Sequence, residues 1–188
     1  ISAPRVIVTT GAAPLIPEIP GLSEADYLDS TSVMALKDLP SSMIVLGAGS
    51  VGLELAQAFA RFGVEVTILS RSQRILSKED PDLGTELMGY LREEGITIHA
   101  GLDITRVEKG GGDHIVHFES QGETRPVTAA TLLVALGRRP NTSGLGLEEA
   151  GVTLGADGEI VVDEFLQTSH PQVYAAGDVT GGPMHVYV

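Results

Sequence analysis

The 188-residue sequence contains no cysteine. Disulfides, thiolate metal sites and cysteine nucleophiles are therefore excluded within it, and the absence agrees with a cytoplasmic setting. Basic residues are scarce. Twelve Lys and Arg stand against 25 Asp and Glu, for a net charge of -13. Such a surface repels polyanions, which argues against a nucleic-acid partner. A small anionic ligand is still allowed, because a few local donors outweigh the mean field. No apolar run approaches the roughly 20 residues needed to span a bilayer, so no membrane role is expected. No basic segment followed by an apolar one opens the chain. Metal ligands are sparse too. The closest pair of the five histidines, His114 and His117, sits three apart in a strand-like run and points to opposite faces. Solvated or edge histidines are the expectation there.

What is present is an ordinary globular composition, 43% hydrophobic and 20% charged, with 23 glycines. The chain enters an apolar run (VIVTTG) almost at once and stops inside another, MHVYV. Natural termini are usually polar, so a piece of a longer protein is expected.

Arg5 to Thr10 reads as a short buried strand. The proline- and glycine-rich GAAPLIPEIPG reads as a surface connection. Asp29, Ser30 and Thr31 can cap a short helix to about Leu36. Met43 to Leu46 is a short apolar strand, and Ser50 to Phe62 has helical apolar spacing at Val51, Leu55, Ala58, Phe59 and Phe62. Gly63 stops that helix, and β-branched Val64 to Leu69 forms the next strand. Pro81 opens a second helix to about Glu94, followed by a strand at Ile96 to His99. Ile104 to Val107, His114 to Glu119 and Glu123 to Val127 alternate apolar and polar, which predicts an antiparallel meander. Thr131 to Leu136 is again a buried strand. GEIVVDEFLQTS predicts one short strand more, and VYAAGD repeats the apolar-to-glycine pattern of VIVTTG. The fold class is therefore α/β: a Rossmann-like parallel sheet of about four strands with an antiparallel β-meander crossover.

Gly47-Ala48-Gly49-Ser50-Val51-Gly52 fits G-x-G-x-x-G, directly after a buried strand and at the opening of a helix. Gly47 permits the tight turn, Gly49 lets a pyrophosphate approach, and Gly52 lets the helix pack on the sheet. The N–H groups of Ser50, Val51 and Gly52 then face the anion at the positive end of the helix. An NAD-preferring domain places an acid at the end of the following strand. Here Leu69, Ser70 and Arg71 hold that place. Arg71 and Arg74 can grip a 2′-phosphate, with Ser70 or Ser72 adding a hydroxyl, which favours NADPH over NADH. The alternative is that both arginines are solvated loop charges.

Four motifs in order resemble the central part of FAD-dependent pyridine nucleotide-disulfide oxidoreductases. VIVTTGAAPLIPEIPG resembles the family's first crossover, whose turn, at Gly11 here, lies against FAD. IVLGAGSVGLELAQAFARFGVEVTIL resembles the NAD(P)H-binding unit, LLVALGRRPNT the second crossover strand, and VYAAGDVT the segment whose aspartate binds the flavin ribityl chain. ELAQAFARFGVEVTILSRS and the terminal VYAAGDVTGGPMHVYV are most similar to the mercuric reductase branch. The resemblance implies a catalytic role for Glu54 near the nicotinamide, paired with a lysine outside this chain. By the residues alone Glu54 is equally a solvated acid early in a helix. It implies that Gly137 lets the coenzyme lie close, that Asp178 binds FAD, and that Tyr187 lies near a metal site. A turn acid and a core aromatic are the plainer readings of the last two.

The implied layout is an NAD(P)H-binding domain over residues 31–150, flanked by remnants of an FAD-binding domain at 1–30 and 151–188. Those remnants are expected to lack order or to repack, and to leave apolar patches exposed. The implied activity is hydride transfer from NADPH through FAD to a dithiol and on to Hg(II), in a homodimeric parent that supplies the missing FAD fingerprint, cysteine pair and dimerisation domain. The fragment alone is expected to be inactive. A dihydrolipoamide dehydrogenase-like or glutathione reductase-like enzyme, another flavoprotein such as an NADH oxidase or a ferredoxin reductase, and a nucleotide-sensing module without electron transfer remain alternatives.

Overall fold

The computed structural model describes residues 3–182. Its elements are β1 (Val6–Val8), β2 (Ala12–Pro14), β3 (Ser42–Leu46), α1 (Ser50–Arg61), β4 (Glu65–Ser70), α2 (Pro81–Glu93), β5 (Thr97–Ala100), β6 (Asp103–Gly110), β7 (Asp113–Ser120), β8 (Glu123–Ala129), β9 (Thr131–Val134), β10 (Arg138–Pro140) and β11 (Val173–Ala175). They form two compact units. One is Ile16–Gly137; the other joins the chain before Ile16 to the chain after Gly137. The expected boundaries at 30/31 and 150/151 thus move inward in the second flank and outward in the first. The reason is pairing. Leu28 bridges to Leu133, through Leu28 N–H to the Leu132 carbonyl and Val134 N–H to the Leu28 carbonyl, so the segment before residue 30 belongs with the central sheet.

The central unit is built on a four-stranded parallel sheet in the order β5-β4-β3-β9. Parallel strands need both faces covered, and these strands are apolar on both. Met43, Val45, Val66, Ile68, Ile98 and Leu133 face one core together with Leu53, Leu55, Ala56 and Phe59 of α1 and Leu91 of α2. Ile44, Leu46, Leu69, Leu132 and Val134 face a second core, closed by Val107, Val116, Phe118 and Ala129 of the meander. The meander β6-β7-β8 is antiparallel, with a bulge between Ile104 and Arg106. Both helices stop at glycines with positive φ, Gly63 and Gly95, as a C-terminal left-handed cap requires. At the start of α2 the Asp80 side chain accepts from the Asp82 N–H at 3.0 Å, and Pro81 sits at the first helical position. The expected short helix after Thr31 is a 3-10 turn, Ser32–Ala35, preceded by Asp29, which accepts from the Thr31 and Ser32 amides.

Among its described residues the other unit carries paired strands of its own, where the flanks were expected to lack order or to repack. β1 pairs parallel with β11, and β2 pairs antiparallel with β10. GAAPLIPEIPG is therefore not only a connection: its Ala12–Pro14 is a strand. Conversely, the strand expected within GEIVVDEFLQTS is reduced to single bridges, Leu154 to Ile160 and Gln167 to Tyr174. A separate core of Val8, Leu147, Val152, Ile160, Val173, Ala175 and Val179 holds the unit together. Apolar surface is left open on it, as expected: Ile7 is 68% and Phe165 75% exposed, and Val6, Val8, Leu145, Leu147 and Val173 line an apolar cleft of about 440 Å³.

Candidate functional site

The turn between β3 and α1 has the form the glycine spacing predicts. Gly47 adopts φ +110°, and a Cβ there would collide with the Ala135 carbonyl. Its N–H donates to the Leu69 carbonyl at 2.9 Å, which locks the turn to β4. At Gly52 a Cβ would sit 2.6 Å from the Gly47 carbonyl oxygen, so α1 packs on the sheet only with glycine there. Gly49 differs. Its backbone is extended (φ −81°, ψ 178°), and a Cβ would meet nothing within 4 Å. The space before the helix is open on the protein side.

Leu53 N–H makes the first intrahelical bond, to the Gly49 carbonyl at 3.0 Å. The N–H groups of Ser50, Val51 and Gly52 therefore have no acceptor in their own helix, and no side chain caps them. Three aligned donors at the positive end of a twelve-residue helix form an anion cradle. Glu54 lies one turn further, exposed on α1.

The loop after β4 is tied to this turn. Leu76 N–H donates to the Ala48 carbonyl at 2.9 Å, Gly101 N–H to the Ser72 carbonyl at 3.0 Å, and fully buried Ile75 anchors the loop against Gly84 of α2. Arg71 is exposed, and neither Arg71 nor Arg74 forms an ion pair among the described residues. Arg74 is half-buried and makes one long bond, 3.5 Å to the Ser77 carbonyl. Ser70 is buried, and its hydroxyl donates to the Ser72 carbonyl at 3.3 Å, so it shapes the loop from within. Ser72 is the less buried of the two hydroxyls beside Arg71. Gly137 follows β9 with φ +128°, a conformation that favours glycine.

In the other unit Gly11 (φ +69°) ends the β1 turn, and its carbonyl accepts from Asn141 N–H at 2.9 Å. Asp178 follows Gly177 at the end of the β11 segment. Arg138, which sequence reasoning passed over, lies beside it: its Nε is 3.4 Å from Asp178 Oδ2, with side-chain exposures of 25% and 13%. Its Nη2 donates to the Ala12 carbonyl at 2.6 Å, whereas its Nε is buried without a hydrogen-bond partner. The available signal was a pair of arginines directly after a buried strand and a glycine. Tyr187 lies outside the described residues. No group of three or more potential metal ligands occurs among the described residues. The two meander histidines do point to opposite faces. His114 is buried, however, rather than solvated, with its ring nitrogens against the Ala25 and Ala130 carbonyls; His117 faces Glu108 on the other side. Alternation along β7 places His114 in line with core residues Val116 and Phe118.

A parallel sheet with a glycine-rich strand-to-helix turn, followed by an antiparallel meander that returns to the sheet edge, defines a Rossmann-like α/β protein. More narrowly, residues 1–188 match the pyridine nucleotide-disulphide oxidoreductase family, and the chain belongs to it. It is 45% identical over 188 residues to mercuric reductases from Bacillus cereus and Streptomyces lividans, covering all of this chain and 30% and 40% of theirs. The Cu(II) complex of the HOCl-induced flavoprotein disulfide reductase RclA from Escherichia coli superposes with a TM-score of 0.88. The identity is 34%, over 98% of this chain and 41% of that one. The chain thus spans about a third of the length of the curated relatives it matches. No helix among the described residues is long and apolar enough to cross a membrane.

Proposed function

We propose that the chain is the NADPH-binding region of a mercuric reductase-like flavoenzyme, carried with two segments of its FAD-binding domain. Residues 16–137 are the coenzyme domain, and 3–15 with 138–182 are the FAD-side segments. The observation that carries this reading is the pairing of an open anion cradle with two cations on a tethered loop. The amides of Ser50, Val51 and Gly52 receive the pyrophosphate, and the Leu76 to Ala48 bond holds Arg71 and Arg74 beside that turn. Among the described residues neither arginine is paired with a carboxylate, so both are available to a 2′-phosphate. An acid at the same place would repel it.

Glu54 and Gly137 complete the coenzyme side, Glu54 as the acidic group near the nicotinamide and Gly137 as the point where backbone and coenzyme approach. Gly11 and Asp178 belong to the FAD side. The polar pair of Asp178 and the orphaned Arg138 Nε fits a hydroxyl-bearing ligand such as the flavin side chain. Bound FAD supplies hydride-accepting chemistry, and the thiols that carry electrons to Hg(II) lie outside this cysteine-free chain. What these residues contribute is alignment, because hydride transfer needs reacting atoms about 3–3.5 Å apart. The full enzyme is read as cytoplasmic and homodimeric.

Side-by-side calorimetric titration with NADPH and NADH tests the reading. NADPH binds more tightly. Arg71→Ala weakens NADPH by about 1.5–3 kcal/mol, the worth of a charged hydrogen bond, and leaves NADH nearly unchanged. Equal losses for both coenzymes overturn the 2′-phosphate assignment.

A further inference from the structure

The loop between β4 and α2 runs from Arg71 to Asp80 and carries two cations, Arg71 and Arg74, near its start. Like charges on so short a segment repel one another. A free loop lets them separate, and gripping one phosphate with both then costs the ordering of the loop. This loop is not free. Leu102 N–H donates to the Ser70 carbonyl at 3.3 Å and Gly101 N–H to the Ser72 carbonyl at 3.0 Å, so the turn after β5 holds both neighbours of Arg71. Ser72 Oγ accepts from Arg74 N–H at 3.4 Å, which folds the chain between the two arginines into a tight turn.

Gln73 lies inside that turn, and its side chain is folded onto Gly101. A Cβ at Gly101 would run into the Gln73 carboxamide, with Cδ and Nε2 at 2.6 Å. Gly101 also adopts φ +71°, a conformation that glycine accepts freely. Among the described residues the carboxamide makes no hydrogen bond, so packing on the glycine is what the placement achieves. Gln73 is solvent-exposed, and a contact of this kind adds little to global stability. Its effect is local. We infer that Gln73 is a positioning residue for coenzyme selectivity: packed on Gly101, it holds the backbone between Arg71 and Arg74 so that both guanidinium groups are presented to one 2′-phosphate. The inference rests on the 2′-phosphate reading of the two arginines and adds the residue that keeps them together.

The test uses the full-length flavoprotein that carries this chain. NADP+ and NAD+ are titrated calorimetrically, so that binding is read without hydride transfer, and the melting temperature of each variant is recorded. Gln73→Ala raises the NADP+ dissociation constant about three- to tenfold and leaves that of NAD+ within about twofold. Gln73→Met keeps the length of the side chain without its amide, and it binds NADP+ within about twofold of the wild type. In the Arg71→Ala/Arg74→Ala background, Gln73→Ala changes NADP+ binding by no more than about twofold, because Gln73 acts through the arginines. Gln73→Ala melts with the wild type. Wild-type NADP+ affinity in Gln73→Ala overturns the inference, while a loss in the arginine double variant keeps the 2′-phosphate reading in place. Equal losses of both coenzymes, or a clear fall in melting temperature, make the contact one of general stability and overturn it too. A Gln73→Met loss as large as that of Gln73→Ala, or a Gln73→Ala loss that persists without the arginines, overturns it in favour of a bond from the amide to the coenzyme. An arginine double variant that binds NADP+ like the wild type removes the 2′-phosphate reading, and the inference with it.

Discussion

The two units solve the problem of burying strands in different ways. In the central unit all four parallel strands are covered on both faces, by α1 and α2 on one and by the meander on the other. Every element it needs lies between Ile16 and Gly137. Among the described residues the other unit has only three-residue strands in two separate pairs, one small core, and a β1 whose Ile7 stands open to solvent. In the proposed function, coenzyme recognition by backbone amides falls on the first, closed framework. The Arg138–Asp178 pair is held on the lighter one. A site made of amides needs the precise backbone of a closed sheet; a site made of side chains tolerates less scaffold.

Truncation in each unit sharpens that contrast most. Leu132 is fully buried in β9, between β3 and the meander. Leu132→Ala removes its methyl groups and leaves a cavity, at a cost of about 2–5 kcal/mol. Ile7→Ala, on the open strand, costs less than about 0.5 kcal/mol, as surface changes do. Chemical denaturation of both variants gives the comparison. Equal losses at the two positions break it and mean that Ile7 is covered in solution.

Within the turn itself, two glycines separate folding from binding. Gly47→Ala forces a side chain into φ +110° and against the Ala135 carbonyl. Backbone strain alone costs about 1–3 kcal/mol. Gly49→Val meets no such obstacle, because its backbone is extended and its Cβ direction is clear. It costs about 1 kcal/mol, for a poorer helix N-cap. Yet it fills the approach to the Ser50–Gly52 amides, so NADPH and NADH binding are both lost. Unfolding curves and coenzyme titrations read the two effects apart. A Gly49→Val protein that titrates either coenzyme like the wild type removes the turn from the site.

The same contrast explains what was legible. α1, α2, the four parallel strands and the meander follow from local patterns: 3.6-residue spacing from Val51 to Phe62, alternation from His114 to Glu119, and glycines where helices stop. Their ends agree with the sequence reading to within about three residues. The form of the glycine turn from Gly47 to Gly52 was legible for the same reason, being contiguous. The β2–β10 pair was not. It joins residues such as Ala13 and Arg139, flanked by a bond between Thr10 and Asn141, 131 positions apart, and neither segment has a period to read. Arg138 was missed because its meaning depends on Ala12, 126 residues away, and on Asp178. His114 was misread because alternation gave its face but not the depth of that face. Ser70 was grouped with Arg71 by position, although β4 turns its side chain inward.

The smallest effect concerns two ion pairs that look alike on paper. Arg61 of α1 meets Glu94 with bonds at 2.7 and 3.1 Å, and Gln57 adds two more to the same carboxylate. That pair is solvent-exposed, at 63% and 31%, and its hydrogen bonds are complete. The Arg138–Asp178 pair is more buried and incomplete. The bond from Arg61 is the main cause that holds the Glu94 carboxyl below its ordinary value of 4.5. A carboxyl lowered in the folded state stabilises above its unfolded value, and the contribution fades as pH falls through the folded one. The melting gap between wild type and Glu94→Gln is therefore small near neutral pH, as exposed pairs require, and it closes as the pH drops below 4.5. A gap that stays constant into strong acid shows that Glu94 acts through packing. The exposed pair would then share the scaffolding role that the contrast assigns to neither arginine.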